Sequence, residues 1–510
     1  MNTHTTIAAV VAAICALSTS AHVQAQANGA ATRANGPIIE TQQGKLQGVV
    51  ANDVVVYKGV PFAAPPVGDL RWRAPAPAAK WSNVKAATEF GGNCQQVEDC
   101  LYLNVYTPAN AKSGSKLPVM VWIHGGAFIF GSGAAYDGTQ FAKQDTVVVT
   151  VNYRLGRAGW FAHPALTAEN PNGALGNYGL MDQVAALEWV RDNIGAFGGD
   201  KDNVTVFGES AGAISINFLM LAPQARGLFH KAISESGFGR LNPIPVHAEG
   251  SRSAEQVGLR FAEKVGIKGT DAAAAKALRA LSWSDLTKEV GGIGSGDQPL
   301  PMADGKMIEA DAVRGFAAGK QARVPFLLGG NSDEASLYRR GTNPQQRFNA
   351  ITQDRDAFLA AFDPDKTNDI PRIVARLITD ESISEPDRAL ARAHAKTGQP
   401  TYLYHFSYVP MSMRDQSFGT PHGGEIQYVF NTPRAGGSFD AEGAAIAQAA
   451  NKYWVAFAKT GNPGSAGGPT WPKFDAADES LVEFGVGGVP VVHKHFHAAR
   501  LNWVEKRAER

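Results

Sequence analysis

Residues 204–212 read Val-Thr-Val-Phe-Gly-Glu-Ser-Ala-Gly. A β-branched run leads into G-x-S-x-G, and residues 211–220 can continue as a helix. Strand, sharp turn and helix in that order describe a nucleophile elbow. The serine occupies a strained turn, and Gly208 and Gly212 leave room for a close strand–helix crossing. With 55 glycines in the chain, a chance G-x-S-x-G is expected roughly a third of the time, so the flanking strand and helix carry the reading.

Working outward, apolar β-branched runs recur at Val119–Ile123, Val147–Val151, Phe326–Leu328 and Thr401–Phe406. Helix-like segments separate them, such as Leu180–Ile194, with apolar residues at Val184, Leu187 and Val190. This alternation predicts an α/β fold: a mostly parallel central sheet flanked by helices. Residues 270–290 open on Thr270-Asp271, a helix N-cap signal, and run through Ala-rich helix formers. They fall between sheet strands, which predicts a helical cap region around 245–320 on a single domain spanning 36–510.

The chain has 510 residues, 44% hydrophobic and 19% charged, with a formal net charge of +1. That is ordinary globular material with a large core. No basic block argues for nucleic acid as a partner. Residues 1–27 carry no Lys, Arg, Asp or Glu, contain an apolar run from Ile7 to Leu17, and end in Ala25-Gln26-Ala27. They read as a cleaved secretory signal peptide, despite lacking the usual basic n-region. No later run is long enough to span a bilayer, so the expectation is a secreted or periplasmic protein without stable membrane insertion. The mature chain keeps two cysteines, Cys94 and Cys100. Export and an even count favour a disulfide between them.

A serine hydroxyl needs a base, and the base needs an acid to orient it. In an α/β-hydrolase the order along the chain is Ser, then Asp or Glu, then His. Eight histidines follow Ser210. His422 stands out in Thr-Pro-His-Gly-Gly-Glu, where glycines let a loop present the ring. Phe326-Leu-Leu-Gly-Gly-Asn-Ser-Asp-Glu-Ala335 places carboxylates just past a strand end, where sites form in open α/β sheets. Asp333 and Glu334 are adjacent, and spacing does not choose between them. Upstream, Trp122-Ile-His-Gly-Gly-Ala-Phe-Ile-Phe-Gly-Ser-Gly133 follows another strand and offers backbone N–H groups to a negative charge.

With these motifs in order, the chain resembles the type-B carboxylesterases, the α/β-hydrolase family that includes cholinesterases and bacterial p-nitrobenzyl-type esterases. The resemblance extends through Tyr57–Gly68, Glu98–Tyr106, Asn152–Gly156, Gly176–Gln183, Phe197–Asp200, the elbow and Trp471-Pro472. It implies a serine esterase acting through an acyl-enzyme, with Ser210 as nucleophile, His422 as base and Glu334 as acid. It leaves Asp333 as a local backbone-bonding residue. It further implies an oxyanion hole from the N–H groups of Gly126, Ala127 and Ala211, and no cofactor or metal. An alanine at 127 suggests a backbone conformation that L-residues tolerate.

The resemblance also implies that Cys94 and Cys100 form the bridge before Leu101-Tyr-Leu-Asn104. The loop between them is too short for the choline-holding tryptophan loop of cholinesterases. Leu337 and Tyr338 fall where related enzymes place pocket-lining aromatics. Arg339 and Arg340 follow, and the pair either favours acidic esters or is a solvated pair on a helix face. His493-Lys-His-Phe-His497 places three histidines at period two, a weak metal signal. Two rival readings share the scaffold: a non-catalytic, cholinesterase-like adhesion protein, which typically lacks the serine, and a lipase acting at interfaces. The partner expected on the main reading is a small-molecule ester.

Overall fold

The computed structural model describes residues 36–247, 252–288, 297–434 and 436–508. The expected signal peptide at 1–27 lies outside the described residues. Among the described residues the largest sheet has eleven strands. In chain order they are β1 (Val49–Ala51), β2 (Val54–Pro61), β3 (Tyr102–Pro108), β4 (Leu117–Ile123), β5 (Val147–Val151), β6 (Gly199–Glu209), β7 (Lys231–Glu235), β8 (Phe326–Asn331), β9 (Thr401–Phe406), β10 (Leu481–Phe484) and β11 (Val491–His493). In space the order is β11-β10-β9-β8-β7-β6-β4-β5-β3-β2-β1. From β5 to β10 all neighbours are parallel. The outer strands β1–β3 and β11 pair antiparallel. This is the doubly wound sheet expected from the alternating pattern.

Alternation of side chains along β4 separates two cores. Val119, Val121 and Ile123 belong to one cluster, together with residues of α1 (Tyr178–Asn193) and α2 (Ala211–Leu221). Met120 and Trp122 belong to the other, packed with Ile446, Trp454 and Phe457 of the 20-residue helix Ala441–Thr460. With both faces covered, β5, β8 and β9 are buried at every position, which is why they read as largely apolar runs.

β7 was not anticipated from sequence. It begins with Lys231 and ends with Glu235, both buried despite their charge, a composition that reads as loop. The Ala-rich block at 270–290 splits into Ala272–Arg279, capped by Asp271, and Trp283–Thr287, capped by Ser282. These helices, with Ala254–Lys264, share the first core through Phe261, Leu278 and Leu286. Arg71 anchors them by donating to the carbonyls of Leu278 and Leu281 while pairing with Glu98.

The chain steps from β4 to β5 on one side and returns to place β6 on the other. β4 and β6 therefore flank a topological switch point, where the loops leaving their C-terminal ends diverge and open a crevice. The glycine-rich stretch leaves β4 there, and Ser210 leaves β6.

Candidate active site

Ser210 adopts φ 55° and ψ −121° immediately before α2. Such a conformation is costly for an L-residue. It is held on one side by the Ser210 N–H, which donates to Glu235 O at 2.9 Å, and on the other by Ile214 N, which donates back to Ser210 O at 2.8 Å. The crossing needs both flanking glycines. A Cβ on Gly208 would lie 2.4 Å from Ile123 O, and one on Gly212 would lie 1.9 Å from the same atom.

The acid–histidine pair assembles where the turn after β8 zips against the loop that carries His422. Asp333 and Pro421 form a bridge. Asp333 N donates to Thr420 O at 2.9 Å, Thr420 N to Ser332 Oγ at 2.8 Å, and His422 N to Ser336 Oγ at 2.9 Å. The geometry distinguishes the two adjacent carboxylates. Glu334 is fully buried, with Oε2 in direct hydrogen-bond contact with His422 Nδ1. Its Oε1 accepts from Asn331 N at 2.7 Å and from Ser236 Oγ at 2.5 Å. Asp333 instead accepts from Arg339. The expectation that Asp333 bonds the local backbone is therefore corrected: Glu334 takes the Asn331 N–H, while Asp333, itself buried, has its carboxylate met by the guanidinium of Arg339.

The other ring nitrogen, His422 Nε2, makes no hydrogen bond among the described residues. It lies 3.1 Å from Oε1 of Glu209, the residue preceding Ser210. Burial drives the Glu209 carboxyl upward, opposed by the charge on His422, reinforced by Glu334 and again opposed by Arg434. For the His422 ring, burial favours the neutral form but is outweighed by Glu209, then by Glu334 and its hydrogen bond, and by Glu425, so its pKa is raised. Three further buried carboxyls lie nearby, Glu235, Glu425 and Asp387. Burial pushes each of them up, and neighbouring carboxylates push further. Glu425 is held by Asn331 Nδ2 and Glu235 by Trp454 Nε1.

The glycine-rich stretch wraps the switch point. His124 is fully buried and its pKa is lowered to about 4, chiefly by burial. Its Nδ1 lies 2.7 Å from Gly125 O, and Tyr153 Oη donates to His124 O at 2.7 Å. Gly126 has φ 107°, and its carbonyl accepts from both Ile129 N and Phe130 N. That tight turn carries Ala127 and Phe128 through the left-handed region, at φ 54° and 63°. The expectation of an L-tolerant conformation at 127 is therefore corrected: loop closure overrides a preference worth ~1–2 kcal/mol. Among the described residues, neither Gly126 N nor Ala127 N donates to a backbone carbonyl. Ala211 N, in the first turn of α2, is one of the helix-end donors without an intrahelical acceptor.

Leu337 and Tyr338 are half-buried beside Glu334, whose charge adds to the effect of burial in raising the Tyr338 pKa. Arg339 is tied to Asp333 and lies 4.8 Å from the Phe418 ring centroid, while Arg340 is exposed. Cys94 and Cys100 form a disulfide. Of the three period-two histidines only His493 is in a strand, paired with Glu483 at 2.8 Å. His495 and His497 lie beyond it with positive φ. Among the described residues no group of three His, Cys, Asp or Glu is arranged to hold a metal.

Comparison with known proteins follows the same lines. A model of the carboxylesterase family matches residues 35–503. The chain belongs to the carboxylesterase family. It is 36% identical over 487 residues to the fumonisin B1 esterase of Sphingopyxis macrogoltabida, covering 87% of this chain and 86% of that protein. It is 34% identical over 527 residues to the liver carboxylesterase of Sus scrofa, covering 89% and 90%. The crystal structure of Geobacillus stearothermophilus carboxylesterase EST55 at pH 6.2 superposes with a TM-score of 0.79 at 32% identity, covering 91% of this chain and 99% of that one. A PNB esterase superposes at 0.75 with 32% identity and the same coverage. This carboxylesterase is a serine esterase that hydrolyses carboxylic esters.

The roles of Glu209, Ser236, Asn331 and Glu425 were not assigned from sequence. Glu209 lies within the elbow motif and Glu425 within Thr-Pro-His-Gly-Gly-Glu, but nothing local says that Glu209 faces the imidazole or that Glu425 is held by Asn331 beside it. Ser236 carries no motif at all.

Proposed function

We propose that Ser210, His422 and Glu334 carry out the hydrolysis. The observation supporting this most strongly is the Glu334–His422 contact: the acid is fully buried, both its oxygens are engaged, and the ring's Nε2 is left without a hydrogen bond on the side facing the elbow. In the acylation step, the Ser210 Oγ–H proton passes to His422 Nε2 as Oγ bonds to the ester carbonyl carbon. The displaced carbonyl electron pair becomes an oxyanion. Collapse of this adduct expels the alcohol oxygen, which takes the proton from His422. Water then repeats the sequence on the acyl-enzyme and releases the acid.

Gly126, Ala127 and Ala211 donate to the oxyanion through their N–H groups. Each such donor is worth roughly 3–4 kcal/mol in the transition state. Glu334 fixes the ring and balances the imidazolium. Glu209 adds a second carboxyl on the other side of the ring, 3.1 Å from Nε2.

Residues 1–27 direct export, and a disulfide at Cys94–Cys100 fits an oxidising compartment. Residues 36–510 act as one domain with a helical cap region around 245–320. The substrates are small-molecule esters, and the named activity of the fumonisin B1 esterase makes that compound a panel member alongside aliphatic, aromatic and polycarboxylic esters. Arg339, already paired with Asp333, offers an acidic ester less than a free cation would.

The deciding test is Ser210→Ala. Turnover should fall by up to about 10⁶-fold, and labelling by an organophosphate should be lost with it. Retained turnover in the purified variant would reject the assignment.

A further inference from the structure

Arg434 belongs to none of the motifs. It is exposed in the stretch after the short helix Ile426–Val429, and its Nη2 donates to Gly423 O at 3.2 Å. Gly423 directly follows His422, and a Cβ there would stand 3.3 Å from Glu209 Oε1. The Arg434 N–H is itself anchored on Gln427 Oε1 at 3.4 Å. An exposed guanidinium thus grips the chain one residue beyond the histidine, at a point stacked against the carboxylate that faces its ring.

The surroundings of that carboxylate are strongly acidic. Around Glu209 stand His422 from the loop, Glu334 after β8, Glu425 before the short helix and Glu235 at the end of β7. The phenols of Tyr136 and Tyr153 also lie within reach of its charge. Among the described residues, the His422 ring and Arg434 are cations whose charge acts on Glu209. We propose that Arg434 is a positioning residue of this esterase: it holds the His422–Gly423 segment and supplies the positive charge that offsets the carboxylate beside the histidine. The inference rests on His422 being the general base.

The expected sign follows from charge alone. Removing a cation makes every proton in the Glu209–His422 pair harder to lose. The acid limb of kcat/KM, which reports the base giving up its proton, therefore moves to higher pH. A unit charge acting partly through solvent shifts such a limb by roughly half a pH unit, about a threefold loss in kcat/KM on the limb. Because Arg434 is exposed, salt should mimic its removal.

The experiment compares full-length wild type, Arg434→Gln, which keeps a donor without charge, and Arg434→Lys, which keeps the charge. Arg191→Gln, in an exposed pair with Asp192, serves as a remote control. With a neutral ester, the Gln variant should show the upward limb at low salt, while the Lys variant and the control follow wild type. Added salt should move the wild-type limb toward that of the Gln variant and leave the latter in place. Superimposable limbs for wild type and the Gln variant would overturn the inference, as would a Lys variant shifted like Gln. Ser210→Ala run alongside separates the two levels. Activity there sinks the catalytic reading, whereas an inactive Ser210→Ala with an unmoved Arg434→Gln limb sinks only the role of Arg434.

Discussion

Ser236→Ala isolates one hydrogen bond to Glu334, the acid of the proposed triad. Ser236 has φ 58°, so serine and alanine carry the same backbone strain and the substitution removes only the hydroxyl. The vacated space is smaller than a water molecule, so Glu334 Oε1 keeps the Asn331 N–H at 2.7 Å and loses the Ser236 donor at 2.5 Å. A hydrogen bond to a charged group contributes ~1.5–3 kcal/mol. At neutral pH the folded state should be destabilised by that amount, read as a lower Tm or denaturant midpoint. The same figure bounds the catalytic loss. If all of the support matters only once the imidazolium forms, kcat falls about 10–150-fold. KM should stay close to wild type, because the hydroxyl lies behind the acid, away from bound ester. Wild-type kcat together with wild-type stability would refute the reasoning. A loss as large as that of Ser210→Ala would also refute it, since a positioning hydroxyl is not worth that much.

Glu235→Gln tests the buried carboxyls. The folded-state pKa of Glu235 is raised by burial and by Glu425, so its contribution to stability is full below the unfolded value near ~4.3 and is lost as pH rises toward the folded value. The variant, whose amide oxygen can still accept from Trp454 Nε1, should melt above wild type at pH 8, and the gap should narrow as pH falls and close only below about pH 4, where the unfolded carboxyl is also protonated; equal melting curves at pH 8 and pH 4 would count against a buried neutral acid. Gly212→Ala puts a Cβ 1.9 Å from Ile123 O, a backbone clash that cannot be relieved by a rotamer change. It should cost about 3 kcal/mol or more and abolish activity by parting β4 from α2; a stable, active variant would refute the close crossing.

The strand–turn–helix around Ser210 was legible because every residue in it obeys a local rule: a β-branched run, then glycines where a Cβ would strike Ile123 O, then helix formers. Thr401–Phe406 and Val147–Val151 were legible for the same reason and match the strands residue for residue. β7 was not, since its buried Lys231 and Glu235 are tolerated only in this setting: Lys231 reaches Asn203, and Glu235 accepts from Trp454, 219 residues away. Ala127 misled in the opposite sense. Residue type suggested an ordinary conformation, but two hydrogen bonds to Gly126 O fix the turn and impose φ 54°.

The site itself divides along the same line. Residue identity can nominate a nucleophile and a short list of acids and bases, because their chemistry is intrinsic. What joins them here is a set of pairings with long sequence separation: Ser236 to Glu334, Asn331 to Glu425 and Glu209 to His422. None leaves a periodic or compositional trace. Each depends on β6, β7 and β8 ending side by side, so that Ser210, Ser236 and Glu334 leave neighbouring strands at the same edge. The elbow thus predicts more than its own turn. Once a parallel sheet is inferred, the residues just past the ends of the strands flanking β6 become the ones to inspect for the groups that orient the histidine. That rule reaches Ser236 only once the structure supplies β7, whose charged ends hide it in the sequence.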